Sequence, residues 1–283
     1  MSKDKDVQTN FDASERDLEY IKNFRLMDDD FMVKFFEENL ECTEFVLRII
    51  MNNPDLKVQS VHTQHEIRNL LGHSVRLDAY ATDKNAKKYN IEIQRSDKGA
   101  SPKRARYHSS IIDANILPKG EDYDFLTETY VIFITEHDEM GAGLPIYHID
   151  RTVKETGDLF QDEAHIIYVN GEYNNDDSPI GILMHDFACT NPADMQYKIL
   201  AERARYLKES KEGQQVMCRA MEEMRQDAKR EARQEARQEM KRESACRMIK
   251  AGKLSYEEIA VYQDLTVEEV EELADEISGL ATV

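Results

Sequence analysis

The sequence predicts a mixed α/β domain, a central sheet flanked by helices, with a long charged helical region and a small three-helix unit behind it. Three observations predict this. Apolar residues recur at helical spacing over residues 31–50, alternate at strand spacing over 74–94, and past residue 195 give way to strong helix formers. A chain of 283 residues, 41% of them hydrophobic, has enough apolar surface to bury a sizeable core.

Residues 1–20 are charged and hold few large apolar side chains, so a disordered N-terminal segment is expected there. From Asp30, the residues Phe31, Phe35, Phe36, Leu40, Phe45, Val46, Ile49 and Ile50 mark one helix, or two in succession, broken at Asn52-Asn53-Pro54. Strands are expected from Val58 to Val61 and on to Ile67, from Ser74 to Thr82, and from Tyr89 to Gln94. The last two form a hairpin around Asp83–Lys88, with one apolar and one polar face. Basic residues between Lys98 and Arg106 lead into Tyr107, Ile111, Ile112 and Ile116, a helix closed by Pro118-Lys119-Gly120. Thr129–Thr135 is a continuous apolar run, the pattern of a strand buried on both faces. Shorter strands at Leu144–His148 and His165–Val169 and a helix near Ile180–Phe187 complete a domain over residues 21–195.

Charge divides the chain into three parts. Residues 1–195 hold 21 basic and 37 acidic residues, 196–250 hold 15 and 10, and 251–283 hold 1 and 9; the nets of −16, +5 and −8 account for the −19 of the chain. Residues 196–250 contain no proline and one glycine, Gly213, and between Arg230 and Glu239 the sequence repeats every four residues. On a helix this sets Glu231, Glu235, Glu239 and Glu243 on one ridge, with Arg233, Arg237 and Lys241 about 200° away. A solvated spacer is the plainest reading, with self-association and backbone contact to nucleic acid as alternatives. In residues 251–283, Ser255-Tyr-Glu-Glu258 and Thr266-Val-Glu-Glu269 are capping boxes ahead of apolar runs. With Met248, Ile249, Leu254, Ile259, Ala260, Leu265, Val270 and Leu273 they predict three helices of helix-turn-helix outline. The acidic run from Val267 to Glu276 would meet phosphates with carboxylates, which favours protein contact over base reading.

A net charge of −19 argues at first against a nucleic-acid partner. No stretch approaches the ~20 apolar residues that span a bilayer, and the first residues carry no apolar leader, so a soluble cytoplasmic protein without a membrane partner is expected. Cys42, Cys189, Cys218 and Cys246 are widely separated and are read as reduced thiols. No GxGxxG, Walker loop, GxSxG or HExxH supports dehydrogenase, NTPase or zinc-protease chemistry. His62 and His65, and His148 with Asp150, are read as structural.

One constellation carries chemistry. Arg76, Asp78 and Tyr80 share the polar face of their strand, and Asn90, Glu92 and Gln94 that of the next, so the hairpin brings Asp78, Glu92 and Gln94 together. Two carboxylates on adjacent strands suit a hard divalent cation such as Mg²⁺. Directly after Gln94 come Arg95, Lys98, Lys103, Arg104 and Arg106 against Asp97 alone, a local excess of cations of the kind a phosphodiester backbone requires.

Asp78, a gap of 13 residues and then Glu92-Ile93-Gln94 resembles the PD-(D/E)xK nuclease pattern in its (D/E)xQ form, as in the Rpn-type recombination-promoting nucleases and transposases. Asp30–Phe36, Ser74–Asp78, Tyr89–Arg95, Lys103–Tyr107, Tyr130–Thr135 and Leu144–His148 are similar to blocks of that group in the same order, over about residues 24–275. The resemblance implies a restriction-endonuclease-like fold and Mg²⁺-dependent hydrolysis of DNA, with Mn²⁺ as a substitute, in transposition or recombination. It implies that Asp78, Glu92 and the backbone carbonyl of Ile93 hold the metal, with Glu38 as a further ligand. Gln94 stands where many relatives have lysine; it can orient a water by hydrogen bonding but adds no positive charge. Arg95, Lys98, Lys103, Arg104 and Arg106 are the DNA contacts this reading names, and Lys34 a weaker one. A homo-oligomer, in the simplest case a dimer, suits the cutting of two strands. The competing expectation is a catalytically weak or inactive nuclease fold acting as a DNA-binding or oligomeric interaction module.

Overall fold

The computed structural model describes residues 14–67, 74–95 and 99–280. Three helices lead the chain in: α1 (Glu15–Asn23), α2 (Asp29–Phe36) and α3 (Leu40–Ile50). Ser14 and Asn39 cap α1 and α3 by accepting from the backbone N–H groups of Asp17 and Cys42. The first helix corrects the expectation of disorder for residues 15–20. Composition there is poor in apolar groups, but Ile21 is fully buried, and a distant residue, the buried Lys208, donates to the carbonyls of Lys22 and Phe24 just beyond. Residues 1–13 lie outside the described part.

Six strands form one mixed sheet: β1 (Val58–Ile67), β2 (Val75–Asp83), β3 (Lys88–Gln94), β4 (Thr129–Thr135), β5 (Ile146–Ile149) and β6 (Ala164–Asn170), in the order β1-β2-β3-β4-β6-β5. The β1–β2, β2–β3 and β5–β6 pairs are antiparallel, while β3–β4 and β4–β6 are parallel. The crossover helix between β3 and β4, α4 (Pro102–Ile116), presses Ala105, Ile111 and Ile112 onto Val131, Phe133 and Tyr168. The alternate residues Ile91, Ile93, Ile132, Ile134 and Ile167 are equally buried, so the sheet is covered on both faces. Two further helices, α5 (Pro179–Ala188) and α6 (Lys198–Glu209), pack with α3.

This covering changes the meaning of the hairpin. Alternation predicts a polar face on β2 and β3, yet its β3 part is not solvated: register sets Asn90 and Glu92 beside Val131 and Phe133, on the side that α4 covers, and both are fully buried, while on β2 Arg76 is exposed and Asp78 half-buried.

The helical region expected over residues 196–250 is two helices, α6 and α7 (Lys211–Ala251), broken at Ser210, whose backbone is extended. The Ser210 hydroxyl accepts from the Gly213 N–H, and a Cβ at residue 213 would lie 2.1 Å from the carbonyl oxygen of Tyr206, so glycine is required for this close turn. Leu200, Ala201, Ala204 and Leu207 of α6 and Met217, Cys218 and Ala220 of α7 are buried. The first compact unit accordingly runs through Ala220 rather than stopping at residue 195, and the second begins at Met221. Along α7 the described side chains from Arg225 to Met240 are all exposed.

In the second unit, α8 (Tyr256–Gln263) and α9 (Val267–Leu280) pack with the end of α7 around Ala245, Ile259, Ala260, Val270 and Leu273, as the apolar pattern predicts. Both capping boxes form: Ser255 N–H to Glu258 at 2.8 Å with Glu258 N–H to Ser255 at 3.3 Å, and Thr266 N–H to Glu269 at 2.7 Å with Glu269 N–H to Thr266 at 3.2 Å. Among the described residues no helix is long and apolar enough to cross a membrane and no disulfide is present.

Candidate active site

The β2–β3 ladder pairs Ala79 with Ile91, and beyond that pair side chains take over from the backbone. The Ile93 N–H donates to Asp78 Oδ2 at 3.1 Å, and the Asp78 N–H donates to Glu92 Oε1 at 3.4 Å. Each carboxylate thus satisfies a backbone donor of the opposite strand, which fixes the two side chains against each other. Glu92 is 0% exposed. Its Oε1 also accepts from Asn90 Nδ2 at 3.0 Å and lies 3.5 Å from Nδ1 of the buried His108 on α4. Arg104 Nε donates to His108 Nε2 at 3.3 Å, and Asn90 Nδ2 lies 3.4 Å from His108 Nδ1. Glu92 Oε2 faces Arg104 Nη2 at 3.5 Å.

Burial, and then the neighbouring Glu92 charge, push the Asp78 carboxyl well above its ordinary range; the Ile93 N–H and Arg104 pull it back only in part. Asp29, in the first turn of α2, is raised by its own burial and by Asp30, and its charge reaches both Asp78 and Glu92. Three carboxylates therefore share one region with Arg104 as the cation beside Glu92. Asn90 Oδ1 is buried without a hydrogen-bond partner. Glu92 is buried, Asp78 half-buried and Asp29 exposed, and a surplus of negative charge carried by hard oxygen donors is the composition that a divalent cation fits.

The other expected residues divide. Gln94 is half-buried at the end of β3, its Oε1 accepting from Arg104 Nη1 at 3.4 Å; a Cβ on residue 99 would stand 1.8 Å from that oxygen, so Gly99 makes the space Gln94 occupies. Lys103 and Arg106 are exposed on α4, and Lys98 lies outside the described residues. Arg95 is 54% exposed but paired, with Asp28 at 2.9 Å and Glu136 at 3.6 Å. Arg25 shares both partners, and Arg25, Arg95 and Asp28 line a cleft of about 490 Å³ with Asp29 and Asp30. Glu38 is not part of this group. It is exposed beyond the C-terminal end of α2, beside Lys34 and Arg203 in a different cleft. It lies past the end of α2 opposite to Asp29, which stands in the first turn. Lys34 is paired with Glu37 at 2.9 Å.

Sequence reasoning missed Asp29, Asn90 and His108. Asn90 alternates with Glu92, and His108 follows Arg104 by one helical turn, so both carried a signal; Asp29 is one of three consecutive aspartates, and spacing alone does not select it. The histidines read as structural fit that role: His65 stacks on Tyr80, and Asp150 pairs with His165 at 2.6 Å. His185, Asp186 and Cys189 also bring potential ligand atoms close together. Asp186, however, accepts from the N–H groups of Gln196 and Tyr197 at 2.7 and 2.8 Å and so secures the start of α6.

The family model of the PD-(D/E)XK nuclease family transposases matches residues 30–176, more than half of the chain. The chain belongs to this family. The matched span runs from α2 past β6 and contains Asp78, Glu92, Gln94 and all of α4, while α5 to α9 lie beyond it. The mixed six-stranded sheet between helices is the restriction-endonuclease-like α/β fold of PD-(D/E)XK proteins. Membership brings a nuclease function associated with transposition, DNA as the substrate class, and divalent metal as the general cofactor of such nucleases. No curated protein and no solved structure matches the chain.

Proposed function

We propose that this protein is a Mg²⁺-dependent DNA endonuclease, able to use Mn²⁺, that hydrolyses phosphodiester bonds in transposition or recombination in the cytoplasm. The observation that carries the reading is the Asp78–Glu92 pair, Glu92 buried and Asp78 half-buried, locked strand to strand and short of positive charge. Asp78, Glu92 and the carbonyl of Ile93 are the ligands we assign, with Asp29 in place of Glu38. A divalent cation held there would lower the pKa of a bound water and offset the charge that builds up on the phosphate.

The protein's own groups supply the rest. Arg104, a donor only, takes the Gln94 oxygen, so the Gln94 amide NH₂ is left to donate to a water or a phosphate oxygen; it has no basic atom with which to accept a proton. Lys103 and Arg106, exposed on α4, together with Arg95, give a cationic approach for the DNA backbone, and a dimer would present one such site to each strand.

Nicking of supercoiled plasmid with Mg²⁺, with Mn²⁺ and with EDTA tests the reading. Asp78→Ala and Glu92→Ala are expected to abolish metal-dependent nicking, and undiminished cleavage by either variant removes the site assignment. The second reading, a nuclease fold retained for DNA binding or assembly, draws on Gln94 in the place of a lysine and on the acidic cleft beside the site. Divalent-ion titration separates the two: an ion site lost in Asp78→Asn supports the enzyme, and no ion uptake at all supports the binding module.

A further inference from the structure

The two oxygens of Glu92 are treated differently. Oε1 accepts from the Asp78 N–H and the Asn90 amide and lies 3.5 Å from His108 Nδ1. Oε2 faces Arg104 alone among the described residues. Because Glu92 is fully buried, solvent does not share that oxygen, and a cation bound between Glu92 and Asp78 must take the place the guanidinium now occupies.

Arg104 is held loosely for a buried ion-pair partner. Its contacts to Glu92, Gln94 and His108 measure 3.5, 3.4 and 3.3 Å, whereas Arg25–Glu136 and Arg95–Asp28 close to 2.8 and 2.9 Å, the usual range for charge-assisted bonds. At 40% exposure its side chain reaches the surface, on the same helix as the exposed Lys103 and Arg106. It therefore has a way out that opens no cavity, toward the face where a phosphate backbone would lie.

We propose that Arg104 competes with a divalent cation for Glu92 Oε2 and, once displaced, transfers its charge to a phosphate oxygen of the substrate. The proposal rests on the nuclease reading above. Like charges repel, so Arg104 on the carboxylate and a cation on the same carboxylate oppose each other, whereas Arg104 on phosphate and a cation on the carboxylates are compatible. Metal and DNA binding are then coupled through one side chain, and the coupling is reciprocal. A residue that merely positions Glu92 would behave in the opposite way, because its loss would weaken metal binding.

The experiment is calorimetric titration of Mn²⁺ into the full-length wild type, Arg104→Gln and Arg104→Lys, with melting curves to verify folding. Arg104→Gln is expected to bind Mn²⁺ at least about fivefold more tightly than the wild type. Arg104→Lys, which keeps one positive charge there, is expected to stay near the wild-type affinity and serves if the glutamine variant does not fold. In a second arm, fluorescence anisotropy of a labelled duplex is followed across salt concentrations with and without Ca²⁺. The salt slope should fall by about one in Arg104→Gln when Ca²⁺ is present and not in its absence. Equal or weaker Mn²⁺ binding by a folded Arg104→Gln, or tightening in Arg104→Lys, overturns the exchange and leaves the nuclease reading standing. Absence of Mn²⁺ binding in wild type and variants alike overturns both.

Discussion

In the sheet domain, β3 buries a glutamate and an asparagine completely, whereas in the C-terminal unit no carboxylate of α8 or α9 is buried and the core is wholly apolar. The two regions are similarly rich in charge but use it for different ends. In the helical unit Glu258 and Glu269 close capping boxes, a local device worth about 1 kcal/mol each. In the sheet domain Asp78 lies in a place, beside Glu92, that raises the energy of its charged form, which is a cost to the fold unless a cation is bound. Polar residues that violate local rules mark a site; polar residues that obey them mark an end of a helix.

Substitutions put that contrast at risk. The largest effect is expected on catalysis: Asp78→Ala or Glu92→Ala should lower the plasmid nicking rate by about 10³-fold or more, while Glu272→Ala on the exposed side of α9 leaves it unchanged. Equal losses at the two places would erase the distinction. Next is Gly99→Ala, whose new Cβ forces the Gln94 carboxamide out of its place; a rate loss of about 10²-fold with a nearly unchanged melting temperature is expected. A normal rate would show that Gln94 does not need its present position.

Stability should move in a direction unusual for a carboxylate. The folded-state pKa of Asp78 is raised above its unfolded value, so its contribution is fully present below about pH 4 and is lost as pH rises through the raised pKa. In chelator, Asp78→Asn, which still accepts from the Ile93 N–H, should be more stable than the wild type at neutral pH, and the difference should shrink toward pH 4. Denaturant melts at several pH values provide the measurement, and a variant less stable at neutral pH contradicts the assigned strain. The smallest effect belongs to the helical unit. Ser255→Ala should cost about 1 kcal/mol, seen as faster hydrogen exchange in α8, with cleavage unaffected.

Much of this was legible before the fold was known. The alternation of β2 and β3 and the turn between them place Asp78 opposite Glu92, and the two capping boxes with their apolar runs define α8 and α9. These signals act within a few residues, through pleat, turn geometry and caps, so reading them needs no knowledge of distant contacts. Which end of α2 meets the sheet is not written in α2: Glu38 lies past its C-terminal end, while the charge of Asp29, in its first turn, reaches Asp78 and Glu92. The reach of the sheet domain to Ala220 and the order in α1 likewise depend on residues far apart in the chain, with Lys208 of α6 holding the carbonyls that follow α1. It took the packing of the folded chain to reveal that α4 covers the β3 part of the hairpin's polar face, that Arg104 and His108 surround Glu92, and that Glu92 is buried. Burial is a property of what packs against a residue, and here the covering helix lies outside the pattern that announces the site.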